Sequence, residues 1–314
     1  MEKRNEIYDI AKGIGIILVV IGHTGIPDYF SNWIYSFHMP LFFWISGTFY
    51  KPEKNTNLLI LLQRKFNSLI KPYIIFTIII LFLTHAINNN NNLFDYFIIN
   101  FKYGWSGLAL WFIPVLFITE VIYYLLNKYI NKYIIYSLLI CIALAYLLST
   151  YKIHLPYKLE VVCTSIVFYS LGYLLNNKIK FPWYYLLYFL FINILFTSLN
   201  SEKLDLAYNK LGMVIPTYIA AISGILSIVL FSEYYIKLKK NIWSSKILIF
   251  LGKNTFIILA FHQIIMMLII SLTSSRMSIV RHLIMWGILF LLIYIINNYF
   301  GWILSKSSSK TTIN

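Results

Sequence analysis

Lys12 and His23 stand eleven residues apart in the first apolar stretch of the chain, YDIAKGIGIILVVIGHTGI, and Asp9 lies three residues before Lys12. In an α-helix, at about 100° per residue, eleven residues make three turns plus roughly 20°, so Lys12 and His23 share a face about 16 Å apart along the axis. Asp9 falls one turn before Lys12 on nearly the same face. The set comprises an ammonium that can hold negative charge, a carboxylate that can balance it, and an imidazole that exchanges protons near neutral pH, since its ordinary pKa is about 6.5. The stretch is about long enough to cross a bilayer. Charge is expensive there, about 2.5–3.5 kcal/mol for Asp or Lys at a helix centre. Asp9 and Lys12 lie near the helix end and can snorkel, and a neutral His23 needs only hydrogen-bond partners. Such a stripe belongs in a polar cavity inside a helix bundle. The plainer alternative is a cation at one interface and an imidazole at the other.

Other polar groups interrupt the later apolar runs. Glu120 sits in the middle of WFIPVLFITEVIYYLL, where a carboxylate is costly unless protonated or paired, so a cavity position is expected. Trp111 opens that run. His38 stands in SFHMPLFFWISG. Met39-Pro40 fits a helix start, because Pro is tolerated in a first turn. The alternative for His38 is an interfacial histidine beside Trp33 and Tyr35, which suit an aromatic belt. Ser46-Gly47 suits close helix packing. His262 and Gln263 place two adjacent polar groups in a late apolar run and are expected to face the cavity. Lys253 starts that run, and Arg276 and Arg281 follow it. Glu160, His85, His154 and His282 carry no decisive signal.

The elements that must position these groups are membrane helices. Of 314 residues, 60% are hydrophobic and 12% charged, against about 45–50% and 25% in soluble domains. The apolar excess is spread along the whole chain. The first stretch does not read as a signal peptide, because Lys12 interrupts its core and further spans follow. The net charge of +15 does not imply nucleic acid, since the charges fall mostly in short loops and so report topology. Cys141 and Cys163 sit inside apolar runs and suggest neither a disulfide framework nor a metal site. There is no Walker loop, dinucleotide fingerprint or zinc-ligand spacing. The abundance of Ile, Asn, Lys, Tyr and Phe matches AT-rich bacterial genomes.

Length and hydropathy predict an all-α bundle of about ten transmembrane helices, at roughly 8–26, 33–50, 69–87, 107–126, 133–150, 159–176, 182–199, 213–233, 247–270 and 278–303. A membrane domain over 1–306 and a short polar tail over 307–314 are expected. The asparagine run 88–92 reads as a solvated loop. Seventeen Lys and Arg fall in loops on one side and seven on the other, so both termini are expected in the cytoplasm. Lys12 then lies toward the cytoplasmic end of the first helix and His23 toward the outer end. No repeat is visible between the halves, which argues against a transporter built on repeats.

Four stretches, YDIAKGIGIILVVIGH at 8–23, SFHMPLFFWISG at 36–47, LWFIPVLF at 110–117 and LGKNTFIILAFHQ at 251–263, resemble the membrane-bound acyltransferase 3 family. Within it they are similar to a branch of polysaccharide and fucose O-acetylases. That family carries a basic residue, ten intervening residues and a histidine in its first helix. The basic residue there is usually Arg, whereas this chain has Lys12. The resemblance runs in order from the first helix to the ninth. Some members carry an extra extracytoplasmic hydrolase-like domain after the membrane part. Here only the polar tail follows, and a stand-alone membrane domain is expected.

The resemblance implies O-acyl transfer, with cytosolic acetyl-CoA as donor and a hydroxyl of a cell-surface glycan, or of its lipid-linked precursor, as acceptor. A cytoplasmic-membrane location is implied, without metal or nucleic acid, and association of copies is compatible with it. Acyl transfer from a thioester needs a base for the hydroxyl proton, stabilisation of the oxyanion and a donor held near the acceptor. On the matched positions His23 is the candidate base. Lys12 is the candidate for donor phosphates or developing charge, and Asp9 balances Lys12. His38, Trp111 (by stacking on a sugar ring), Glu120, His262, Gln263 and Arg276 are candidate substrate contacts. Arg276 and Arg281 suit an anionic glycan or lipid-linked diphosphate. Lys253 is either a coenzyme A phosphate contact or a topology charge. The rival class is a transporter or flippase of a glycan or small polar solute, which would also need buried His, Glu and Lys.

Overall fold

In hydrocarbon every backbone N–H and C=O must be bonded internally, so long apolar runs become helices. The structure, a computed structural model, describes residues 6–52, 57–88, 98, 108–176, 181–239, 242–273 and 279–304. α1 spans Glu6–Gly22, α2 Asp28–Tyr35 and α3 His38–Thr48. α4 (Leu58–Lys65) continues through a wide turn at Phe66–Ile70 into α5 (Lys71–Asn88). Next come α6 (Phe112–Tyr129), α7 (Ile134–Thr150), α8 (Val162–Leu175), α9 (Tyr185–Leu199) and α10 (Val214–Lys239). α11 (Trp243–Lys253), α12 (Thr255–Thr273) and α13 (Ile279–Tyr299) follow.

Among the described residues, seven helices are long and apolar enough to cross a membrane. The remaining predicted spans are helical but shorter. α1 has 17 residues, α9 has 15 and α3 has 11. Two predicted spans are each broken in two. The run at 33–50 divides into α2 and α3 at Phe37, whose φ of −140° leaves the helical region. Asn193 of α9 holds this break by donating to Ser36 Oγ (3.0 Å) and the Ala220 carbonyl (2.7 Å). The run at 247–270 divides into α11 and α12 at Asn254. The Asn254 amide turns back on the Phe250 carbonyl (2.8 Å), and its oxygen accepts from Asn297 (2.9 Å). Short polar side chains compete with the backbone for its own hydrogen bonds, so both breaks occur where such residues interrupt apolar sequence. Pro40 sits in the first turn of α3.

Two glycine-mediated crossings fix the centre of the bundle. A Cβ on Gly13 would strike the Leu248 carbonyl, and one on Gly252 the Asp9 carbonyl, so α1 and α11 meet backbone to backbone. Likewise a Cβ on Gly47 would strike the Tyr169 carbonyl and one on Gly172 the Trp44 carbonyl, locking α3 to α8. Close approach through small residues is the usual way membrane helices associate, since lipid leaves little hydrophobic drive between them. α1 also packs on α3, α10 and α12. The two helices with the chemistry-bearing residues, α1 and α3, are therefore central. α7 and α13 are peripheral, with only 17% and 22% of their apolar windows buried.

Candidate active site

A cavity of about 240 Å³ opens at the C-terminal end of α1. His23 reaches it just past the last turn of α1, Tyr35 from α2, His38 and Met39 from the start of α3, Trp111 from the turn before α6, and Gln263 from α12. The Tyr35 hydroxyl lies 3.4 Å from His23 Nδ1, and the rings of Tyr35 and His38 meet edge to face at 4.7 Å. His38 Nδ1 is 2.9 Å from the Ile34 carbonyl. A carbonyl only accepts, so Nδ1 carries the proton and Nε2 the lone pair. His262 is fixed in the same way, with Nδ1 at 2.9 Å from the Ile258 carbonyl. Its Nε2 is buried with no hydrogen-bond partner among the described residues. The His262 ring stands 5.4 Å from that of His23, behind the wall of the cavity rather than in it.

The segment between α9 and α10 roofs this cavity, and in the sequence its lysines read only as topology charges. Asp205 and Lys210 pair through their backbones at 2.9 Å in both directions. The turn between them ends at Asn209, left-handed at φ 52°. Asn200 accepts from the Met213 N–H (2.8 Å) and donates to Thr217 (2.8 Å), which ties the loop to α10. Leu204, Leu206 and Leu211 are buried beneath it. Asp205 and Tyr208 line the cavity. Lys203 Nζ stands 3.4 Å from the centroid of the Tyr35 ring and donates to Ser31 Oγ at 2.6 Å. A cation over an aromatic face is attracted by its quadrupole. Burial raises the Asp205 carboxyl pKa, with Lys203 opposing, and burial lowers that of the Lys203 ammonium. Tyr35, Lys203, Asp205 and Tyr208 thus join the site. The one sequence signal was the polar, charge-bearing run SEKLDLAYNK between two apolar helices.

A second cavity of about 160 Å³ lies one level further along α1, toward its N-terminus. Lys12 lines it together with Ile16, Phe42, Phe112 and Phe256, so its wall is mostly apolar. Lys12 Nζ is 2.8 Å from Asp9 Oδ1, and the Asp9 side chain is fully buried. Met39 and Leu259 line both cavities and form the partition between them. Lys253 is exposed, one residue past the contact of Gly252 with the Asp9 backbone.

Of the predicted site residues, the structure gathers His23, His38, Trp111 and Gln263 around the first cavity, with His262 packed behind His23. Lys12 and Asp9 sit together at the second. Glu120 belongs to neither. It is buried and paired with Lys65 at 2.6 Å, near a tyrosine cluster in which Tyr50 meets Tyr123 and Tyr169 edge to face and Tyr123 and Tyr169 are tilted against each other. A paired carboxylate is the expected resolution of a buried charge. Arg276 lies outside the described residues. Among those residues, no three His, Cys, Asp or Glu side chains converge as metal ligands would.

A family model described as "Acyltransferase domain" matches residues 5–306. The chain belongs to the acyltransferase 3 family. No curated protein and no solved structure matches it. Membership in this acyltransferase family makes the chain a multi-pass membrane acyltransferase, and an acyl donor is implied with it.

Proposed function

We propose that this acyltransferase takes an acyl group, acetyl in the expected case, from cytosolic acyl-coenzyme A. It passes the group to a hydroxyl of a cell-surface glycan or of its lipid-linked precursor. One observation carries the reading: the cavity lined by Lys12 and the cavity lined by His23 meet at the same two side chains, Met39 and Leu259. A donor anchored by phosphate at Lys12 and an acceptor seated at His23 would then approach each other inside the bundle, away from water. That arrangement supplies positioning, the largest part of which is entropy lost before the chemical step.

The acceptor hydroxyl gives its proton to His23 Nε2, whose lone pair is available when Nδ1–H donates to the Tyr35 oxygen. The acceptor oxygen attacks the thioester carbonyl carbon, and Gln263 donates its amide N–H to the oxyanion. As the C–S bond breaks, the acyl group remains on the acceptor oxygen. The coenzyme A sulfur leaves and takes the proton from His23. Lys12 contributes charge for the donor phosphates, and Asp9 keeps that ammonium in place. Lys253 extends the same positive end. Both termini are assigned to the cytoplasm on the loop charges, so that Lys12 faces the donor side.

The experiment is turnover by purified protein given acetyl-CoA with labelled acetyl and a mixed glycan acceptor. Free thiol and labelled glycan should appear together. Movement of glycan across vesicles without thiol release would overturn the reading in favour of a transporter. A reporter fused after Asn314 should be cytoplasmic.

A further inference from the structure

A third, larger depression lies on the far side of the Asp205–Lys210 turn, an open groove of about 1000 Å³. Tyr208 lines both this groove and the His23 cavity, so one ring separates them. Lys152, Lys203 and Lys210 line the groove, against a single carboxylate, Glu202. His154, at its edge, lies 3.5 Å from Glu160. Asn209 also lines it, and only 3% of that residue is exposed. Neither polar atom of its side-chain amide has a hydrogen-bond partner among the described residues. A buried amide without partners is destabilising, and the cost is removed when a ligand supplies the bonds. The three lysines lie in loops assigned to the side where Lys and Arg are depleted. Their concentration around one groove therefore runs against the topology bias.

We infer that this groove binds the acceptor through an anionic group, a carboxylate of the glycan or a phosphate of its lipid carrier, and that Asn209 hydrogen-bonds to it while Tyr208 guides the neighbouring hydroxyl toward His23. The inference rests on the acyltransferase reading for the last step only, since the groove would hold the anion whether or not transfer followed. A net surplus of positive charge in an open groove attracts anions over a Debye length of about 8–10 Å at ordinary ionic strength. The amide adds the geometric selection that diffuse charge lacks. Lys152 and Lys210 are exposed and Lys203 partly so, which leaves them accessible to a large ligand.

The test is calorimetric titration of the purified full-length protein with tri-galacturonate, with maltotriose as its uncharged counterpart, and with farnesyl diphosphate. Tri-galacturonate or farnesyl diphosphate should bind at least tenfold tighter than maltotriose. Tighter binding of the first places the anion on the sugar, and tighter binding of the second places it on a lipid carrier. The Lys152→Gln/Lys210→Gln variant should weaken the anion by about tenfold, since two exposed charges that face it are lost, and should leave maltotriose unchanged. Asn209→Gly, which keeps the left-handed backbone, should weaken the anion as well. Thiol release from acetyl-CoA is read in the same samples, so loss of transfer and loss of anion binding are scored separately. Equal binding of charged and uncharged trisaccharides, or anion binding indifferent to both variants, would overturn the assignment.

Discussion

The imidazole of His262 lies 5.4 Å, ring centre to ring centre, from that of His23, with its Nδ1 bonded to its own helix at Ile258. Two imidazoles this close cannot both be comfortably charged, so the protonation of His23 is coupled to that of His262. His23→Ala should lower turnover by about 10²–10⁴, the usual contribution of a general base, with the melting temperature in detergent little changed. Activity retained within about tenfold would remove His23 as the base. His262→Asn should shift the pH–rate profile of kcat while retaining part of the activity, because His262 acts through His23. An unshifted profile would assign His262 to packing alone.

Lys12 and Asp9 form a 2.8 Å pair with the carboxylate fully buried. Removing one partner of a buried pair leaves the other uncompensated and costs about 3–5 kcal/mol. Lys12→Met should therefore melt early, whatever its role in binding. The informative variant is Asp9→Asn/Lys12→Met, in which both charges go and stability should return. If Lys12 holds donor phosphates, this double variant should still show a KM for acetyl-CoA raised about tenfold or more, the scale of a charged hydrogen bond. Lys12→Arg should keep most activity. A normal KM in the stable double variant would return Lys12 to the role of an interfacial charge.

The glycine crossings give a stability prediction with an internal control. Gly47→Ala and Gly252→Ala each place a methyl on a backbone carbonyl of the facing helix, where neither backbone can yield cheaply. Each should cost about 1–3 kcal/mol, the scale of overpacking. Gly287→Ala on α13 meets nothing within 4 Å. It should be neutral or stabilising by up to about 1 kcal/mol, since Ala is the better helix former. Equal melting shifts at all three positions would show that the crossings do not hold the bundle.

The helical bundle was legible because apolar runs of twenty residues have few other outcomes, and the Asp9–Lys12–His23 stripe because helical period alone puts the three on one face. Pro40 announced the start of α3. The division of 247–270 at Asn254 was not legible, since the polar interruption there is short and the deciding contact comes from Asn297, 43 residues away. Glu120 announced itself as a buried charge, but its partner Lys65 lies 55 residues off in a segment that read as a topology signal. The roof over the cavity escaped for the same reason. Lys203 and Asp205 look like ordinary loop charges until the fold sets Lys203 on Tyr35 and Asp205 in the cavity wall.

The partition between the two cavities makes the last prediction. Met39 and Leu259 are the side chains common to both, and each is largely buried, at 7% and 6% exposed. If the acyl group passes from the Lys12 side to the His23 side, it passes them. Met is unbranched and adaptable, so small movements of Met39 can admit a short group and exclude a long one. Wild-type protein should prefer acetyl over butyryl donors. Met39→Ala should improve butyryl transfer relative to acetyl by about tenfold or more. That is the value of burying two further methylenes at about 0.8 kcal/mol each. Leu259→Ala should move the preference in the same direction. Met39→Phe should lower kcat with acetyl donors while leaving the acetyl-CoA KM near wild type, because the donor phosphates are held elsewhere. Each truncation leaves a void and costs about 2–5 kcal/mol in stability, so rates are compared at a temperature where all variants remain folded. An acyl preference unchanged in both alanine variants would sink the idea that this partition lies on the acyl path.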